Sequence, residues 1–163
     1  MYTIISILLC LVFMLVYNTT IITKYKRIPG SLSETSYIIS SDGGPKKYLF
    51  TLYSILTGIT LLPPLFIVTP DGFEAIPFLL CVGFLFSGFS PTYKSGLERP
   101  VHYISAYISF ISFILYSILC MGWIWLVGYG VVLGLLCLWK PKCYVYFAEI
   151  LALIGISVWV LIQ

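Results

Sequence analysis

Six long runs of apolar residues, separated by short polar segments, restrict how this chain can fold. The 163 residues are 60% hydrophobic and only 9% charged, whereas about a quarter of the residues of an ordinary globular domain are charged. Such a chain cannot cover itself with a soluble surface, and a lipid bilayer is the solvent that suits it. We therefore predict an all-α integral membrane protein, a single bundle of transmembrane helices without a separate soluble domain.

The lengths of the apolar runs indicate how many helices there are. About 20 helical residues cross the hydrocarbon core, because a helix satisfies its backbone hydrogen bonds internally. The run over residues 101–139 is too long for one crossing, and Cys120-Met121-Gly122 is the expected place for a tight turn within it. We predict six spans, at residues 2–23, 48–68, 75–90, 101–121, 123–139 and 144–162.

The basic residues indicate the orientation of the bundle. All nine Lys and Arg residues fall in residues 24–47, 91–100 and 140–143, which share one side in a six-span arrangement. Basic residues accumulate in cytoplasmic loops, so we predict that these three segments are cytoplasmic and that both termini lie outside the cytoplasm. A five-span chain would place Lys140 and Lys142 on the opposite side.

The N-terminal run and the cysteines bear on the compartment. No Lys or Arg precedes the first apolar run, whereas a cleavable signal peptide begins with a positive region, so we expect a retained first helix. The five cysteines form no C-x-x-C pair and His102 is the single histidine, so we expect neither a metal site nor a cofactor. These features fit a plasma or inner membrane, with the bilayer as the main partner and no nucleic acid.

Residues 24–47 form the longest polar segment between the spans. Within it, Ser31 and Glu34 have the spacing of a capping box, in which the serine caps a helix and the acid reaches back toward the start of that helix. We predict a short interfacial helix over about residues 31–40.

Glu149 is the one acid inside a predicted span, about 9 Å along the helix from its cytoplasmic end. An ionised carboxylate is costly in hydrocarbon, so we expect Glu149 to face the interior of the bundle. Two interpretations stay open. The carboxyl either contacts a ligand, an ion or a proton, or it is a hydrogen-bonded group that holds helices together.

A polar stripe in the fourth span offers a partner surface for Glu149. Its residues recur every three or four positions and therefore share one helix face. The stripe consists of His102, Ser105, Ser109, Ser112 and Tyr116. Such a stripe either packs closely against another helix or lines a polar cavity. One hypothesis is a ligand site in the inner leaflet, between spans four and six.

Two short segments carry a resemblance to known proteins. They are residues 28–37, with the sequence IPGSLSETSY, and residues 101–106, with the sequence VHYISA. Together with the six short spans, they resemble a family of small uncharacterised bacterial and phage-encoded membrane proteins. More distantly, the layout is similar to six-span proteins of the damage-regulated autophagy modulator type. The resemblance implies a six-helix fold, draws attention to Ser31, Glu34, Tyr37 and His102, and implies no reaction.

Three functions are compatible with these features. The leading hypothesis is a non-enzymatic protein that binds a lipid or small molecule, or that modulates a membrane partner, with its site near the stripe and Glu149. The second is a lipid-acting enzyme with His102 or Glu149 as acid or base, although no nucleophile–base pattern is evident. The third is an oligomeric, holin-like pore. Small residues at Gly83/Ser87, Gly130/Gly134 and Ala148/Ala152 indicate close helix contacts, within one chain or between copies.

Overall fold

Helices make up most of the computed structural model, which describes residues 2–40, 48–91, 93–94 and 96–163. Part of the predicted loop, residues 41–47, lies outside the described residues. Seven α-helices occur in the described chain: α1 Tyr2–Tyr25, α2 Glu34–Ser40, α3 Leu49–Val68, α4 Ala75–Gly88, α5 Glu98–Tyr116, α6 Trp123–Trp139 and α7 Tyr144–Ile162. The described ranges contain no strand, so the all-α prediction is confirmed.

Four helical segments of the described chain are long and apolar enough to cross a membrane. They are Tyr2–Tyr25, Leu49–Val68, Glu98–Met121 and Pro141–Ile162. Two further apolar helices are shorter, α4 with 14 residues and α6 with 17. These lengths and compositions are those of a multi-pass membrane protein.

The helices pack around a core that leaves α6 at the edge. α4 lies between α3 and α5, α1 packs on α3, and α7 contacts α1, α3 and α6. α4 and α5 approach each other closely at Gly83, where a Cβ atom would be 2.7 Å from the carbonyl oxygen of Ser105 and 2.8 Å from the backbone nitrogen of Ser109. A residue without a side chain allows this approach. No residue of α6 is buried.

A short irregular segment reverses the chain between α5 and α6. Residues Ser117–Met121 form a π-helical turn that extends α5. Gly122 follows with a φ of 91°, and α6 begins at Trp123. A positive φ of this size is readily adopted only by glycine, which explains why the chain turns at this residue.

Three connecting segments meet at one end of the bundle, which we call the loop end. The backbone N–H of Tyr146 donates to the carbonyl oxygen of Gly30 at 3.0 Å. The backbone N–H of Lys94 donates to the hydroxyl of Tyr37 at 2.7 Å. Together with α2 and the start of α7, these bonds bring together the described parts of three segments near the basic residues, namely residues 26–33, 89–91 with 93–94 and 96–97, and 140–143.

Candidate functional site

A cavity of about 80 Å³ lies among α3, α4, α5 and α7, close to the loop end. Its lining is mostly apolar, and the residues with polar side chains in it are Ser87, Ser109 and Glu149. Phe110 belongs to the lining and is 47% exposed. Phe110 therefore extends from the cavity to the outer surface of the bundle.

Glu149 lies in the second turn of α7, and its carboxyl forms part of the cavity wall. Oε2 accepts a hydrogen bond of 2.6 Å from the backbone N–H of Leu32. Within the described ranges, the second oxygen, Oε1, has no hydrogen-bond partner. The carboxyl is thus held through one oxygen, while the other can accept a hydrogen bond from a bound molecule.

The segment that precedes α2 closes the cavity at the loop end. The side chain of Leu32 is fully buried and lines the cavity. Gly30, two residues earlier, accepts the hydrogen bond from the backbone of Tyr146. The thiol of Cys143 lies 3.7 Å from the carbonyl oxygen of Ile28. These contacts fasten the segment to the start of α7, and so place Leu32 opposite Glu149.

Ser31 and Glu34 shape the turn that carries Leu32. The hydroxyl of Ser31 accepts a hydrogen bond of 3.1 Å from the backbone N–H of Glu34. The Glu34 carboxyl accepts one from the backbone N–H of Gly30 and forms an ion pair of 2.9 Å with Arg27. In a capping box the acid bonds the capping residue itself, whereas here it bonds the residue before it. α2 begins at Glu34 because a turn, closed by the bond from Thr35 N–H to the Leu32 carbonyl, precedes it.

His102 lies beside the cavity and is absent from its lining. Its Nδ1 is 3.0 Å from the carbonyl oxygen of Ser87. Since a carbonyl oxygen only accepts hydrogen bonds, Nδ1 carries the proton in this arrangement. The imidazole ring stacks on Tyr93, with 4.2 Å between ring centroids. His102 thus positions the end of α4, and Ser87 with it.

Two hydroxyls of the polar stripe bond residues outside α5. The hydroxyl of Ser109 donates to the carbonyl oxygen of Leu80 at 2.9 Å. The hydroxyls of Tyr116 and Thr69 are 3.0 Å apart. Of the stripe, only Ser109 joins Glu149 in the cavity lining. The residues outside the lining are His102, Ser105, Ser112 and Tyr116.

Tyr37 belongs to the loop end and not to the cavity. Its ring meets the edge of Tyr93 at 88°, with centroids 5.2 Å apart. Tyr93 also stacks on His102 and lies near the hydroxyls of Ser33 and Ser31. Burial raises the pKa of the Tyr93 phenol above its ordinary value, and hydrogen bonding with those two hydroxyls offsets only part of this rise. Tyr93 therefore joins α2, α5 and the segment between α4 and α5 into one cluster.

Three residues of this site are not among the site residues that the sequence predicts. Leu32 contributes its backbone N–H, which every residue except proline has, so its type gives no signal. Tyr93 is one of thirteen tyrosines. Ser87 lines the cavity, and its backbone carbonyl accepts from His102. Its signal in the sequence is the small-residue pair Gly83/Ser87, which predicts a close helix contact.

No family model matches the chain, and no curated protein or solved structure matches it either. Within the part of the chain that the structure describes, no group of three or more His, Cys, Asp or Glu residues is placed to hold a metal ion. The cavity and its lining therefore carry the functional interpretation.

Proposed function

We propose that this protein is a non-enzymatic membrane protein that holds a lipid, or another membrane-soluble small molecule, in the cavity beside Glu149. One observation carries the proposal: the Glu149 carboxyl forms part of the wall of a mostly apolar cavity. A carboxyl at this depth needs hydrogen-bond donors, and Leu32 supplies one, to Oε2. A hydroxyl or amine of the ligand supplies the second, to Oε1.

The apolar part of the lining suits a hydrocarbon chain. It includes Phe84, Phe113, Leu153 and Ile156. Moving a chain from the bilayer into this lining gains little hydrophobic free energy, because lipid tails are as apolar as these side chains. Selectivity therefore comes from the polar end at Glu149. The volume of about 80 Å³ accommodates only part of a lipid, so the remainder stays in the bilayer beside Phe110.

The proposal includes six spans in a plasma or inner membrane. Both termini lie outside, while residues 24–47, 91–100 and 140–143 are cytoplasmic. Support comes from the basic segments that meet at the loop end and from the apolar exposed faces of the helices. The cavity then lies in the cytoplasmic leaflet, whose lipids are its source of ligand. A second copy or another membrane protein is a further partner that the exposed face of α6 accommodates.

Catalysis has less support than binding. Nδ1–H of His102 is used by the carbonyl of Ser87, and Tyr93 covers the ring. Glu149 lines the cavity, whereas His102 does not. The two groups therefore do not converge on one bond of a bound molecule, as an acid and a base must.

Native mass spectrometry of the protein, purified in mild detergent, tests the proposal. Ala106 and Ala152 line the cavity, so leucine at either position fills it without removing a polar group. We expect the wild type to retain a small molecule or lipid, and Ala106→Leu and Ala152→Leu to lose it. Ala75→Leu is the control, because Ala75 is exposed at the start of α4. Equal retention in all four proteins, or none in the wild type, would contradict the proposal.

Cysteine labelling in intact cells tests the orientation. Asp71 and Lys142 are exposed at opposite ends of the bundle, and each is replaced by cysteine in a variant whose five native cysteines are alanine. We expect a membrane-impermeant maleimide to label Asp71→Cys directly and Lys142→Cys only after permeabilisation. The reverse pattern would show that the bundle has the opposite orientation.

A further inference from the structure

Three buried hydroxyls have no hydrogen-bond partner within the described ranges. They belong to Tyr53 and Thr57 of α3 and to Ser157 of α7. Their residues are 3%, 0% and 0% exposed, respectively. Buried hydroxyls are nearly always hydrogen-bonded, so three unpaired ones in the same bundle call for a partner that is not part of the chain.

Two of these hydroxyls do not donate to a backbone carbonyl of their own helix, although their positions would allow it. A serine or threonine within a helix can donate to the carbonyl four residues earlier. Three hydroxyls of α3 and its C-terminal end do so, at 3.0, 2.7 and 2.6 Å: Ser54 to Phe50, Thr60 to Leu56 and Thr69 to Leu65. Thr57 and Ser157 make no such bond within the described part of the chain, so their hydroxyls are not satisfied by their own helix backbone.

The surroundings of the three hydroxyls are polar as well. The Tyr53 hydroxyl lies beside the side chains of Asn18 and Thr57, but neither contact has the distance and angle of a normal hydrogen bond. The thiol of Cys10, which is fully buried, lies near the side chains of Ser157 and Tyr53. Polar groups of α1, α3 and α7 therefore face the same interior region.

We propose that α1, α3 and α7 enclose a water-binding site, where one or two ordered waters bridge Tyr53 and Thr57 to Ser157. A buried water typically makes about three hydrogen bonds to groups that are otherwise unsatisfied. Water both donates and accepts, so it satisfies hydroxyls in either role. A metal ion suits the site less well, because these hydroxyls are neutral and no cluster of metal-ligating side chains occurs in the described part of the chain.

This site is separate from the cavity beside Glu149. None of Tyr53, Thr57 and Ser157 belongs to the lining of that cavity. The water site therefore does not depend on the proposed ligand, and its waters join three helices at the centre of the bundle.

Thermal unfolding of two matched variants tests the water site. Thr57→Val removes the hydroxyl but keeps the shape of the side chain. Thr60→Val is the control, since that hydroxyl already bonds its own helix. If water is bound, Thr57→Val leaves the water and its other partners short of a bond, and the midpoint falls by about 2–6 °C relative to the control. A dry site in which the Thr57 hydroxyl stays unpaired predicts an unchanged or higher midpoint, because a buried unpaired hydroxyl has then been removed; that result would overturn the proposal.

A high-resolution crystal structure gives a second, direct readout, which holds even if Thr57→Val fails to fold. We expect solvent density at about 2.5–3.2 Å from at least two of the three hydroxyl oxygens. An interior without such density, or hydroxyls that bond each other directly, would contradict the site.

Discussion

The Glu149 carboxyl and the Leu32 backbone N–H are joined by a hydrogen bond of 2.6 Å, although the two residues are 117 positions apart in the chain. This bond ties the segment before α2 to α7 and closes the cavity at the loop end. It also divides the carboxyl into two parts. Oε2 accepts the bond from Leu32 and so holds two elements of the fold together, which is the structural interpretation of Glu149. Oε1 is the atom on which the ligand hypothesis depends.

Two substitutions test whether the hydrogen bond from Leu32 to Glu149 stabilises the fold. Glu149→Gln keeps an oxygen that accepts from Leu32, whereas Glu149→Leu removes the acceptor. We expect the glutamine variant to stay close to the wild type in its free energy of unfolding. The leucine variant should lose about 1–3 kcal/mol, because the Leu32 N–H is left buried without a partner. Reversible unfolding in detergent measures both, and equal stability of the two variants would show that the bond contributes nothing.

The contact between α4 and α5 makes Gly83 far less tolerant of a side chain than Gly130. In Gly83→Ala the new Cβ would lie 2.7 and 2.8 Å from backbone atoms of α5, which cannot move aside as a flexible side chain can. We expect a loss of about 1–3 kcal/mol in the free energy of unfolding. A Cβ on Gly130 meets nothing within 4 Å, so Gly130→Ala should be neutral or stabilising by up to about 1 kcal/mol.

Unfolding of the two alanine variants under the same detergent conditions measures this difference. It also separates contacts within one chain from contacts between copies. If Gly130→Ala were the more destabilising variant, and only at protein concentrations where copies associate, α6 would be an interface between copies.

The sequence predicts the helices well because their signals are local. Apolar runs long enough to cross a bilayer predict helices, and Gly122 adopts the positive φ that the turn before α6 needs. The spacing of Ser31 and Glu34 predicts a capped turn, and the two residues do hydrogen-bond, although the acid reaches Gly30.

The site was harder to predict because its contacts are distant in the chain or made by the backbone. No residue type marks Leu32 as the partner of Glu149. The stripe on α5 shares one face, as its period indicates, but that period does not say that Ser109 alone of the stripe lines the cavity while its hydroxyl bonds α4. The size of a cavity depends on how far helices stand apart, and that distance is not encoded in any single helix.

Glu34 should matter more than its ion pair with Arg27. The Arg27 side chain is 56% exposed, and exposed ion pairs contribute about 0–1 kcal/mol. Arg27→Gln should therefore change the free energy of unfolding by less than about 1 kcal/mol, and less still in high salt. Glu34→Ala also removes the acceptor of the Gly30 N–H, so a loss of about 1–2 kcal/mol is expected.

The same pair of variants reports on the cavity. Because Gly30 also bonds the backbone of Tyr146, loosening its turn weakens the segment that holds Leu32 against Glu149. We therefore expect Glu34→Ala to retain less ligand than Arg27→Gln when both are purified in the same way. Native mass spectrometry measures the fraction of each variant that carries ligand. If Arg27→Gln lowers the free energy of unfolding and the amount of retained ligand as much as Glu34→Ala does, the ion pair holds this segment in place. If neither variant loses ligand, the turn before α2 does not control the cavity.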